Sequence, residues 1–113
     1  MSDAFERLLE TLAADPEVSR GKMFGHAGAR LGRKFFAMEY EEDVVVKLGP
    51  ERVAALVASG RARQFEPMAG RPMSGWAQVP PGEGDPVPFW AELADEAKAL
   101  VRELERPERQ RRR

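Results

Sequence analysis

Two kinds of apolar repetition alternate along this chain, and glycine or proline stands at every change between them. Phe5, Leu8, Leu9 and Leu12 recur at the spacing of one helical stripe. Asp3 and Glu6 ahead of them have capping-box spacing. Asp15-Pro16 closes that segment, because a proline disfavours helical geometry in the residue before it. From Ser19 to Leu48 the period falls to two. Phe36, Met38 and Tyr40 are expected on one face and Phe35, Ala37 and Glu39 on the other. Glu41-Glu42 reads as a turn, and Val44, Val46 and Leu48 repeat the alternation. Gly25, Gly28 and Gly32 suit hairpin turns that need positive φ.

Helical period returns after Gly49-Pro50, with Val53, Ala54, Leu56 and Val57 as the apolar face and Gly60 as the stop. Residues 63–68 and 75–79 are predicted strands. Asp85 as N-cap opens a last helix whose stripe is Trp90, Leu93, Ala94, Ala97, Val101 and Leu104. The expected fold is α+β, with two layers, a mainly antiparallel sheet, helices on one face and the order α-β(3)-α-β(2)-α. The meander is expected to bury one face. Its core is expected to join Leu8, Leu12, Phe36, Val46, Leu56, Trp76, Trp90 and Leu93. A single domain over residues 1–106 precedes a basic tail over 107–113, which has no apolar side chain and is expected to be disordered.

Residue inventory excludes several chemistries. There is no cysteine, so disulfides, thiolate metal sites and a cysteine nucleophile are ruled out. One histidine cannot make a multi-histidine metal site within one chain. No apolar run approaches the ~20 residues that span a bilayer, and the acidic, polar start is unlike a signal peptide. The expectation is a cytoplasmic protein without cofactor, a monomer or homodimer that does not engage membranes.

His26 stands beside a turn and is of the residue type that serves in acid–base chemistry, but no nucleophile accompanies it, and a turn histidine is the better account. Gly25-x-x-Gly28-x-x-x-Gly32 matches neither the dinucleotide nor the P-loop fingerprint. Glu39, Glu41, Glu42 and Asp43 read as a solvated hairpin tip more readily than as a cation site. Arg61, Arg63 and Arg71 with Phe65 and Trp76 could form a basic–aromatic surface, though core aromatics under snorkelling arginines are the stronger reading.

Lys22-Met23-Phe24-Gly25, Gly28, the Phe35-Phe36-Ala37 and Val46-Lys47-Leu48 strands, Phe65, Gly70-Arg71, Met73, the Trp76 to Pro80 segment and Trp90-Ala91 occur in an order that resembles the amino-terminal domain of the TfoX/Sxy competence-regulator family. The similarity runs from about Val18 to about Leu104. It implies a two-layer α/β unit, no catalytic residues and a regulatory or protein-interaction role. Full-length members add a helical carboxy-terminal domain, for which this chain is expected to be too short. The candidate binding surface is Lys22, Phe24, Gly25, His26, Gly28 and Arg71, facing an unknown protein partner. The alternatives are a nucleic-acid-associated protein that uses Arg109, Arg111, Arg112 and Arg113, and a small metal- or ligand-binding protein.

Residues 106–113 carry a balance of +4, against −5 for the rest of the chain. Removing Glu108 to Arg113 is therefore expected to leave the melting temperature unchanged. Any affinity for a non-specific duplex should fall with the truncation and, in the intact chain, with rising salt. Equal affinity with and without the tail would place nucleic-acid binding on the folded body.

Overall fold

In the computed structural model, residues 3–104 are described. The expectations for the tail, Arg109 and Arg111 to Arg113 included, lie outside them. The element order is α1 (Asp3–Leu12), β1 (Val18–Met23), β2 (His26–Leu31), β3 (Lys34–Tyr40), β4 (Asp43–Lys47), α2 (Pro50–Ala58), β5 (Arg63–Gln64), β6 (Trp76–Val79) and α3 (Val87–Leu104). The six strands form one antiparallel sheet in the order β1-β2-β3-β4-β6-β5. The α+β class and the helices on one face match the expectation. Four strands precede α2 rather than three, because Phe24-Gly25 folds the first extended segment into two paired strands.

Local chemistry explains the helices. Pro50 sits at the first position of α2 behind Gly49, whose φ is 90°. At the other end the Gly60 N–H donates to the Val57 carbonyl and the Arg61 N–H to the Leu56 carbonyl, with Gly60 left-handed. That is a Schellman stop. Val53 and Leu56 are the buried residues of α2, whereas Ala54 and Val57 face solvent, which narrows the expected stripe. The Asp85 carboxylate accepts the Val87 N–H at 3.2 Å ahead of α3 and also pairs with Arg7 of α1. The carboxylates of Asp3 and Glu6, expected in a capping box, engage Arg7 and Arg20.

The sheet buries apolar residues on both faces, not one. On the helix side, Phe5, Leu8, Leu9 and Leu12 of α1 and Trp90, Leu93, Ala97 and Val101 of α3 pack on Phe36, Ala37, Val44, Val46, Ala77 and Val79. The second face carries a smaller core of Met38, Val45, Phe65 and Trp76, with Met23, Phe35, Tyr40 and Met73 against it. Trp76, expected in the main core, belongs to this second one. Strict alternation would put Phe36 with Met38 and Tyr40. Instead Ala29 pairs with Ala37 and Arg30 with Phe35, so Phe36 is an extra residue in β3. This β-bulge reverses the alternation, sending Phe36 to the helix side while Phe35, Met38 and Tyr40 face the other way.

The second face is roofed by chain rather than by helix. Gln64 Nε2 donates to the Met73 carbonyl at 2.7 Å, to that of Phe65 at 3.0 Å and to that of Trp76 at 3.3 Å. This amide ties both ends of the loop between β5 and β6 to one point. The Gly75 carbonyl accepts from the Leu48 and Gly49 N–H groups, anchoring the loop where β4 ends.

Trp90 is 1% exposed and is one of the largest fully buried side chains. Trp90→Ala should cost about 3–5 kcal/mol. Its Nε1 has no acceptor among the described residues, so Trp90→Phe sacrifices no protein hydrogen bond and should cost clearly less. Denaturant melts of both variants check this. An unchanged midpoint for the alanine variant would contradict the packing.

Candidate functional site

The hairpin between β1 and β2 closes through a two-residue loop, Phe24-Gly25, flanked by the Met23–His26 pair. Phe24 has φ 55° and Gly25 φ 80°. Positive φ at both central positions is the requirement of a type I′ turn, which favours Asn-Gly. A bulky side chain in the left-handed region is an outlier with a cost of about 1–2 kcal/mol. Phe24 is nevertheless 61% exposed, so its own fold returns little for that strain.

Phe24 forms one lip of a cleft of about 370 Å³ lined by His26, Tyr40, Phe65, Pro67 and Met68. The His26 and Tyr40 rings meet at 5.2 Å, tilted by 59°, and Tyr40 meets Phe65 edge-on, also at 5.2 Å. Three aromatic rings thus run from the rim to the fully buried Phe65. Met68 also lines the cleft, at 66% exposure. It sits on a tight turn in which the Arg71 N–H donates to the Met68 carbonyl at 2.9 Å. Gly70 is left-handed in this turn, and its N–H donates to the Glu66 carboxylate at 3.2 Å. The turn and the hairpin come from distant parts of the chain and meet at one end of the sheet.

Of the residues expected to form the surface, Phe24 and His26 line this cleft and Gly25 makes its turn. Arg71 stands exposed next to the lip, across the bridge from Met68. Lys22 and Gly28 do not belong. Alternation along β1 turns Lys22 to the helix side, where its neighbour Arg20 reaches Glu6 of α1. Gly28 is buried inside β2 opposite Gly21 and is not a turn residue. A Cβ on Gly28 would lie 2.7 Å from the Ala37 carbonyl oxygen and 3.2 Å from the Phe35 ring, and one on Gly21 2.9 Å from Phe35 Cζ. The glycine pair is the bed on which the Phe35 ring lies, so its role is packing.

Tyr40, Pro67 and Met68 are the lining residues that the linear pattern did not single out. The available signal was Phe24-Gly25 at a turn where Asn-Gly would be at ease. Phe65 and Trp76 are core, as their composition suggested, and Arg61 lies over the Phe89 ring at 4.4 Å, away from them. In the acidic hairpin tip, Asp43 accepts from Gln78 Nε2 at 2.7 Å. Among the described residues, no group of three or more His, Cys, Asp or Glu side chains could hold a metal ion, and no helix is long and apolar enough to cross a membrane.

Fold and cleft together define a small α+β domain with an aromatic-lined cleft on the face that its helices leave open. No family model, characterised protein or solved structure matches the chain.

Phe24→Asn should raise stability by about 0.5–1 kcal/mol, because it relieves left-handed strain and supplies the preferred turn pair. Thermal melts measure this. A loss of stability would make Phe24 a packing residue rather than a displayed one.

Proposed function

We propose that this chain is a non-catalytic protein-interaction domain of the TfoX amino-terminal type, and that its contact surface is the Phe24–Met68 cleft. One observation carries the reading. Among the described residues four large apolar side chains are exposed, and the two most exposed, Met68 and Phe24, line one cleft. Scattered surface apolar residues need no explanation, but a paired set around an aromatic floor does. Backbone strain at Phe24 adds to it, since strained displayed residues cluster at sites of function. Aromatic and methionine side chains are also those over-represented in the buried centres of interfaces.

The resemblance drawn from the sequence supports the same class of role. It places Phe24-Gly25 and Gly70-Arg71, which border the two lips, among the residues that carry it. No proton-transfer step is assigned to His26, whose ring packs on Tyr40 as part of the wall.

Affinity capture from the native cell with three variants tests the reading. Phe24→Asn and Met68→Ser should each lose the captured partner while remaining folded. Val57→Ser removes an exposed apolar side chain on α2, away from the cleft, and should retain it. Retention by all three would remove the cleft from the interface.

A further inference from the structure

The charge around the cleft indicates what kind of partner it accepts, and this step rests on the cleft being the contact surface. Tyr40 is succeeded directly by Glu41 and Glu42, both exposed at the tip of the β3–β4 hairpin. Asp43 pairs with Tyr40 across that hairpin and therefore shares its face. Glu66 is exposed between the lining residues Phe65 and Pro67. Four carboxylates thus border the cleft on two sides.

Four cations stand on the same side of the sheet, and two of them, Arg30 opposite Phe35 and Lys47 opposite Trp76, lie at the strand ends away from the cleft. Arg71 is beside Met68. Arg63 pairs with Gln78 on β5, the far edge strand. Lys22 is turned to the helix side. The acidic groups at the rim outnumber the basic ones, and none of Glu41, Glu42, Arg63 and Arg71 is in a salt bridge among the described residues. The wall points the same way. Phe24 and Tyr40 present aromatic rings, whose faces attract cations. The carboxylates add Coulombic attraction that orients an approaching partner.

We infer that the cleft takes a peptide segment of a partner protein carrying one apolar anchor flanked by lysine or arginine. The anchor enters between Phe24 and Met68 over the Phe65 floor. The flanking cations meet Glu41, Glu42 and Glu66 and lie against the exposed Phe24 ring. An all-arginine segment without an anchor would make only the second set of contacts, so it should bind weakly and only at low salt.

Binding of short fluorescent peptides to the intact chain tests this. The probes are a peptide with one central phenylalanine between lysine flanks, the same peptide with alanine at the centre, and the phenylalanine peptide with glutamate flanks. The lysine-flanked phenylalanine peptide should bind tightest. Binding should weaken about threefold to tenfold in the Glu41→Gln/Glu42→Gln double variant at low salt, as expected for two exposed charges. It should be lost in Phe24→Asn, with folding checked by thermal melt.

If the glutamate-flanked peptide binds as well or better, the basic-partner inference falls while the cleft stands as an apolar contact surface. If the alanine-centred peptide binds equally, or Phe24→Asn binds unchanged, the contact is purely electrostatic or lies elsewhere, and both readings fall. Absence of binding by all three peptides overturns the inference, and the cleft is then judged by the capture experiment alone.

Discussion

One extra residue in the central strand β3 organises this domain. The bulge at Phe36 lets consecutive aromatic residues serve opposite faces, Phe35 on the glycine pair Gly21–Gly28 and Phe36 beneath the helices. Both are large, and a regular strand would also send neighbouring residues to opposite faces. The difference lies in the residues after the bulge. Ala37 joins Phe36 on the helix side, where a small side chain suits the close approach of α3, and Met38 and Tyr40 are released to the second face. A one-residue change of phase moves every later side chain of a strand to the other side. Met38 and Tyr40 are the residues around which the smaller core and the cleft are built.

The second face is then left with apolar side chains and no helix to cover them. The segment between β5 and β6 supplies the cover through Phe65, Met73 and Trp76, held by the Gln64 amide and the Gly75 carbonyl. It roofs Met38 and Val45 and stops at Tyr40. The cleft lies at the margin of this roof, between its outermost turn and the β1–β2 hairpin. Its depth reflects the edge of a small core, and its exposed lips are the parts of two turns that nothing in the domain covers.

Polar contacts hold the helical layer in place. The Asp15 carboxyl is lowered to about 2 by the Glu17 backbone N–H, Lys98 and Arg102, which joins the end of α1 to α3. Arg7–Asp85 and Arg52–Glu96 tie α1 and α2 to the start and middle of α3. Such half-exposed pairs add little stability. They link α1 and α2 to α3 at the surface, above the shared apolar core.

Periodicity, caps and punctuation determined the number and order of helices, the antiparallel strands and most of the main core, because these depend on neighbours a few residues apart. Leu8, Leu12, Val46, Leu56, Trp90 and Leu93 were recognisable from their spacing. Phe24, Gly25 and His26 stood out because they lie in the stretch that carries the family resemblance, with Gly25 suited to a turn. The bulge was not legible, since an inserted residue leaves the same alternating letters and only pairing with β2 shows which is extra. Nor was the role of Gly28, whose missing Cβ matters only because Phe35 from another strand lies over it. The cleft itself is a tertiary product. Tyr40, Phe65 and Met68 converge with Phe24 only when the sheet brings two turns to one end and the loop folds back over the face, and no local pattern encodes a meeting between segments some forty residues apart.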